Sequence, residues 1–213
     1  MTEDEAKAWL EQHFPVSRET WEKLDGYVQI LLSEMDQQNL IAESTRDHVW
    51  ARHIADSAQL LTLADSAGEG LWIDLGSGAG LPAIVIAILS DRPVLMIESR
   101  RKRIDFLNEV IDSVGIKNAQ VYGGRVEGAS SKAAAVISAR AYAPLERLFP
   151  SALHLSDNRT LWVLPKGRNA QNELEAARSS WQGVFHVERS ITDPESAIII
   201  AQSVAPKGKK GRK

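Results

Sequence analysis

The stretch Asp74-Leu75-Gly76-Ser77-Gly78-Ala79-Gly80-Leu81-Pro82 decides how this 213-residue chain is read. The apolar run LWIDL (71–75) leads into it. Three glycines in five residues then let a backbone turn tightly and let a ligand approach without meeting a Cβ. Pro82 suits the first turn of a following helix, where its missing N–H is no loss. A second apolar run, VLMIES (94–99), carries Glu98 at its carboxyl end. A carboxylate there can accept hydrogen bonds from both ribose hydroxyls of an adenosine compound. Loop and acid together specify a nucleoside-binding crevice at the carboxyl ends of two strands.

Outward from the loop, short runs rich in branched residues alternate with helical segments. AQVYG (119–123), AAVISA (134–139), TLWVLP (160–165), VFHVE (184–188) and AIIIAQSV (197–204) read as strands, and 81–89, 101–114, 144–155 and 169–181 as helices. Continuous apolar strands alternating with helices predict an α/β fold: a mostly parallel seven-stranded sheet covered by helices on both faces. Only 189–196 separates the last two runs, so they are expected as an antiparallel hairpin at the sheet edge. Before Gly68 and Gly70 the chain reads as helical, with apolar residues at spacings of three and four in 8–14, 21–35 and 45–64. The expected organisation is therefore a helical N-terminal cap (1–65) belonging to the same domain as the core (66–204), followed by a basic disordered tail (205–213).

Composition narrows the class. Hydrophobic residues are 44% and charged residues 25%, which excludes a largely disordered chain. No apolar run reaches the roughly 18 residues that span a bilayer. The acidic, amphipathic start MTEDEAKAWLEQHF is unlike a secretion signal, so a cytoplasmic protein with no membrane partner is expected; a monomer is expected as well, though the sequence does not fix the oligomeric state. The absence of cysteine excludes disulfides, thiolate metal sites and a thiol nucleophile; no metal is expected. The last seven residues, KGKKGRK, hold five of the 25 basic residues, so residues 1–206 carry 20 basic against 28 acidic groups, a charge of −8. Such a body holds nucleic acid only through local basic patches or the tail.

The loop is neither a dinucleotide fingerprint, since Leu81 stands where that pattern needs glycine, nor a P-loop, since no lysine follows. Asp-x-Gly-x-Gly-x-Gly resembles the loop of class I methyltransferases, whose donor has a cationic amino-acid and sulfonium end that Asp74 would favour. Among methyl transfers, pyrimidine C5 chemistry through a cysteine adduct is excluded by composition. Exocyclic amines are commonly held by an Asn/Asp-Pro-Pro-aromatic turn after the fourth strand; here 138–144 reads SARAYAP. A ring nitrogen with a free lone pair, such as guanine N7, needs neither device, and catalysis is then positioning and exclusion of water. Arg140 can recognise a guanine edge or a phosphate, or form a salt bridge at the sheet end, and Tyr142 can stack on a base or fill the core.

With these residues goes a wider set: Arg52-His53-Ile54-Ala55-Asp56-Ser57, IDLGSGAGLP (73–82), Ile97-Glu98-Ser99, Lys102-Arg103, Phe106-Leu107, Gly124-Arg125-Val126-Glu127, Ala139-Arg140-Ala141-Tyr142-Ala143 and Lys166-Gly167. From about Asn39 to Ser203 the chain resembles the ribosomal RNA small-subunit methyltransferase G family, also called glucose-inhibited division protein B. The resemblance implies a class I (Rossmann-like) fold and methylation of N7 of one guanine in 16S ribosomal RNA, with S-adenosyl-L-methionine as cofactor and the RNA or the small subunit as partner. It implies a cofactor site of Asp74, Gly76, Ser77, Gly78, Gly80, Leu81, Glu98, Val126, Glu127 and Arg140, with Arg140 also positioning the reaction and no general base. Arg101, Lys102, Arg125, Tyr142 and Lys166 are the expected RNA contacts, and His53 and Asp56 are expected in hydrogen-bonded structural roles. Ala83, Tyr142 and Pro165 depart from the family's usual residues, none of them within the glycine loop. Transfer to a small molecule or a protein, or a binding module without catalysis, are the readings that the loop alone leaves open.

Overall fold

A computed structural model describes residues 1–208. Helix α1 (Glu3–His13) opens with a reciprocal cap, Thr2 Oγ1 accepting from the Glu5 amide and Glu5 Oε2 from the Thr2 amide. Helix α2 (Arg18–Glu34) buries Leu24, Tyr27, Val28 and Leu31, one stripe at helical spacing. The next segment, read from sequence as one helix from residue 45 to about 64, is wound three ways. A 3-10 turn (Glu43–His48) and a π-helical stretch (Trp50–Ala55) precede helix α3 (Asp56–Leu63). Tertiary contacts explain the change. Glu3 takes the Trp50 and Ala51 amides at 3.0 and 2.9 Å, and the Trp50 ring is held between Lys7 and Trp21.

Seven strands form one sheet: β1 (Trp72–Leu75), β2 (Val94–Glu98), β3 (Ala119–Gly123), β4 (Val136–Ser138), β5 (Leu161–Lys166), β6 (Trp181–Arg189) and β7 (Ala197–Pro206). Their order is β3-β2-β1-β4-β5-β7-β6, the first five parallel and β7 antiparallel to both its neighbours. This is the α/β sheet with an edge hairpin that the strand pattern predicts. Alternate residues serve opposite faces. Trp72, Val94, Met96, Val136 and Val163 pack with the N-terminal helices, α4 (Ala83–Leu89) and α5 (Arg101–Val114). Ile73, Leu95, Ile97, Ile137, Trp162 and Leu164 pack with α6 (Leu145–Ala152) and α7 (Ala170–Ala177). Sequential strands run outward in opposite directions from β1 and β4, so a crevice opens at their carboxyl ends.

Two boundaries differ from the sequence reading. The helix expected through residue 181 stops at Ala177, and Trp181 starts β6, because its ring packs 5.3 Å from that of Phe149 and its backbone pairs with Pro206. Strand β7 runs to Pro206, so residues 205 and 206 belong to the sheet and not to the tail; 209–213 lie outside the described residues.

The cap is tied to the glycine loop by Tyr27, fully buried, whose hydroxyl donates to Ala79 O at 2.8 Å. Burial raises its pKa, so it remains a donor. Tyr27→Phe leaves that carbonyl without its buried partner, and urea unfolding should show a loss of about 1–3 kcal/mol with unchanged helix content.

Candidate active site

The loop between β1 and α4 carries positive φ at Gly76, Gly78 and Gly80 (68°, 56° and 86°). Space forbids a side chain at two of them. A Cβ on Gly76 would lie 2.6 Å from Tyr142 Cδ2, and one on Gly80 2.5 Å from Ile84 Cγ1. The loop is pinned to β2, since the amides of Gly76 and Ser77 both donate to Ile97 O. Glu98, 4% exposed, completes the join: Oε2 accepts from the Gly78 amide at 3.0 Å, and Oε1 from the amides of Ser99 and Arg100 at 2.7 and 2.8 Å. Three N–H groups on a carboxylate with about four lone-pair sites leave it able to accept at least one more hydrogen bond.

Beside this acid is a cavity of about 230 Å3, walled by Gly76, Glu98, Ser99, Val126, Glu127 and Tyr142. It brings together four of the residues expected at the cofactor, Gly76, Glu98, Val126 and Glu127, and adds Ile97, Ser99 and Gly124. Those three had a signal in the sequence, since they flank Glu98 and Arg125 in the quoted motifs. Ser77, Gly78, Gly80 and Leu81 do not line it. They are buried behind it, Ser77 Oγ donating to Asp74 O and Leu81 lying in the apolar layer under the cap.

Asp74 sits at the switch between β1 and β4. Trp72 Nε1 donates to Ser138 Oγ at 2.8 Å, and that hydroxyl donates to Asp74 Oδ1 at 2.6 Å. Burial pushes the Asp74 carboxyl up to about 7, although the Ser138 and Ser77 hydroxyls and the Arg140 guanidinium oppose the rise. Its Oδ2 is buried without a partner, and so is Arg140 Nη1. Neither residue lines the 230 Å3 cavity, but the two are near enough to couple electrostatically, and an unpaired acceptor with an unpaired cationic donor suits a zwitterionic amino-acid group. The residues present fit S-adenosylmethionine on that ground: a nucleoside-sized cavity beside Glu98, and an orphaned carboxyl oxygen with an orphaned guanidinium nitrogen near it.

Arg140 spans from the loop after β4 to the cap. Nη2 donates to Arg52 O at 3.2 Å and to His53 Nδ1 at 3.1 Å, and lies 3.6 Å from Asp56 Oδ2. The Thr45 hydroxyl donates to Ala42 O, so it accepts from His53 Nε2–H, which leaves Nδ1 as the acceptor for Arg140. Burial first, and then the cations Arg140 and Arg52, lower His53 to about 3, which keeps it neutral. Next along the chain, Ala141 has φ 53°, a left-handed conformation unusual for alanine. That kink sets Tyr142 between two cavities.

The second cavity, about 460 Å3, shares Tyr142 with the first and is walled by Arg52, Asp56, Arg140, Lys166, Glu173 and Asp193. Its charges come in pairs: Arg52 with Asp193 at 2.9 Å, Arg140 with Asp56 at 3.6 Å and Lys166 with Glu173 at 2.7 Å. Lys166 is only 12% exposed and also donates to Ala143 O. Glu173 and Asp193 lie outside the motifs and gave no sequence signal. Arg101 and Lys102 are exposed at the start of α5, in neither cavity, Arg101 pairing with Asp105. Arg125 is exposed on the rim of the smaller one.

Two buried groups give stability opposite pH slopes. Asp74, raised from 3.8 to about 7, contributes most at low pH and loses that contribution as pH rises through about 7. His53, lowered from 6.5 to about 3, contributes fully above 6.5 and loses it as pH falls toward 3. Denaturant unfolding at several pH values checks both. From acid to neutral pH, wild type should lose stability relative to Asp74→Asn and gain it relative to His53→Gln.

Comparison with known proteins agrees with this geometry. Residues 20–196 match the family described as rRNA small subunit methyltransferase G. The chain is 50% identical to ribosomal RNA small subunit methyltransferase G of Zymomonas mobilis (99% of this chain, 98% of that one) and 52% identical to that of Rhizorhabdus wittichii (100% and 99%). Among solved structures, the fold is shared with ribosomal protein L11 methylase from Lactobacillus delbrueckii (TM-score 0.54, 18% identity, 72% of this chain and 80% of that one). It is also shared with precorrin-6y C5,15-methyltransferase from Geobacter metallireducens (0.53, 11%, 78% and 92%). The chain belongs to the rRNA small subunit methyltransferase G family.

Proposed function

We propose that this protein methylates N7 of a guanine in the 16S RNA of the small ribosomal subunit, with S-adenosylmethionine as donor. The observation that carries the reading is the pair of cavities meeting at Tyr142, one a nucleoside cradle at the strand switch point and the other of a size to admit a base. When bound, the donor supplies an electrophilic methyl group on a sulfonium. The protein's own work is placement. Glu98 has acceptor capacity left for a ribose hydroxyl, Gly76 shares the cavity wall with the Tyr142 ring packed against it, and Asp74 and Arg140 would meet the amino-acid end. Guanine N7 carries a lone pair at neutral pH, so no general base is required, and none of the paired groups in the larger cavity is assigned that role.

The four cations at 100–103 stand at the N-terminus of α5, where they oppose the helix dipole, and an anionic RNA offsets that repulsion. With Arg125 they form the proposed RNA-contacting rim. Residues 1–65 and 66–204 are read as one folding unit, supported by the shared apolar layer and the Tyr27 bond. A monomer is the proposed state, and the ribosomal substrate supports a cytoplasmic location. No helix among the described residues is long and apolar enough to cross a membrane.

The direct test is labelled-methyl transfer to 30S particles from a strain lacking this gene, followed by nucleoside analysis. N7-methylguanosine is expected, and any other methylated nucleoside overturns the reading. Calorimetry of donor binding just below pH 7 should show proton release, because a cation beside Asp74 favours its ionised form; Asp74→Asn abolishes it. Arg101→Ala with Lys102→Ala should weaken 30S binding and lessen its salt dependence, with donor affinity unchanged. A double variant that binds 30S particles as tightly as wild type at both low and moderate salt counts against the rim.

A further inference from the structure

The larger cavity holds three carboxylates, and their hydrogen bonding is unequal. Asp193 has both oxygens engaged, Oδ1 by the Glu195 amide and Oδ2 by Ser196 Oγ and Arg52. Asp56 Oδ1 accepts from Gln59, Ser190 and Thr192, and Oδ2 faces the Arg140 guanidinium. Glu173 differs. Both its partners, the Leu145 amide at 2.6 Å and Lys166 Nζ at 2.7 Å, fall on Oε1. Oε2 has no hydrogen bond among the described residues, and it is not one of the buried orphaned atoms, so it stays accessible. Lys166 is the complement: of its three N–H groups, one goes to Ala143 O and one to Glu173, leaving a third. The wall of the cavity therefore presents a spare donor beside a spare acceptor, held together by the ion pair and anchored to the start of α6.

That order of donor and acceptor has a counterpart among the bases. Guanine presents O6, an acceptor, next to N1–H and the exocyclic amine, both donors. Adenine presents the reverse, an N6 donor next to an N1 acceptor. A lysine donor beside a carboxylate acceptor matches guanine and opposes adenine at both positions. A base held by this edge keeps N7 free for the methyl group. Methylation at N7 also makes the ring cationic, so a carboxylate on N1–H binds more strongly as the reaction proceeds.

We propose that the Lys166–Glu173 pair reads the target guanine, Glu173 Oε2 accepting from N1–H and the exocyclic amine while Lys166 Nζ donates to O6. The inference rests on the guanine-N7 reading above and names the residues that select its base.

The test uses the full-length enzyme and 30S particles reconstituted with 16S RNA carrying either guanosine or inosine at the target position. Inosine keeps N7, O6 and N1–H and lacks only the exocyclic amine. Wild type should prefer guanosine by about tenfold in kcat/KM, the scale of one good base contact. Glu173→Gln keeps a carbonyl oxygen for Leu145 and Lys166 and puts an N–H donor where Oε2 stood. It should cut transfer to guanosine by about 50-fold and bring the guanosine-to-inosine ratio to about one, with S-adenosylmethionine affinity by calorimetry unchanged. A purely structural role would lower both rates equally and leave the ratio intact; that result overturns the proposal. A wild-type ratio near one also overturns it, whether or not the variant folds. Should wild type put no methyl on N7 of the guanosine particles, the functional reading has itself failed, a result distinct from an undiscriminating but active enzyme.

Discussion

The crevice depends on one buried relay, from the Trp72 indole through the Ser138 hydroxyl to the Asp74 carboxylate. It joins β1 to β4 at the point where the strand order turns, and so fixes the two loops that leave those strands. Burying a carboxylate is costly unless it is neutralised or hydrogen-bonded. Here one oxygen is satisfied and the other is left without a partner, with the pKa pushed up to about 7. A carboxyl in that condition is held where a small cationic change beside it alters its protonation. The same bond that organises the fold thus leaves the site prepared for a positively charged ligand.

Arg140 carries the second constraint. Its guanidinium reaches across to Arg52 O and His53, and approaches Asp56, on the π-helical stretch and at the start of α3. The cap is therefore bound into the site and does more than cover an apolar face. The unusual winding of residues 50–55 follows from the claims made on that segment: Glu3 holds its first amides from one side, and Arg140 holds its last turn from the other. π-helical turns recur at functional positions for such reasons. With Arg140 fixed, the left-handed Ala141 sets Tyr142 between the two cavities, the proposed donor and acceptor sites.

Charge pairing shapes the larger cavity. Arg52, Arg140 and Lys166 each face a carboxylate, so the lining is nearly neutral although it is densely charged. In the proposed reaction a neutral heterocycle enters without displacing strongly held counter-ions, and the exposed cations Arg100, Arg101, Lys102 and Arg125 are left to meet the phosphate backbone. Division of labour between backbone attraction and base recognition is the usual arrangement in nucleic-acid binding.

The sequence by itself determined the sheet, the glycine loop, Glu98 and the position of the edge hairpin. Each is a local constraint: alternating apolar runs, a turn that only glycine can make, and an acid at the end of the next strand. The winding of 43–55, the start of β6 at Trp181 and the partners of every charged residue in the larger cavity were decided by tertiary structure alone. Glu173 illustrates why. Its meaning comes from Lys166 and Leu145, brought to it from β5 and α6, and no helix periodicity marks it. Arg140 shows the same from the other side, since its partner carbonyl is 88 residues away. Backbone geometry is written in neighbouring residues, but a charge acquires its role only from the group that folding sets against it.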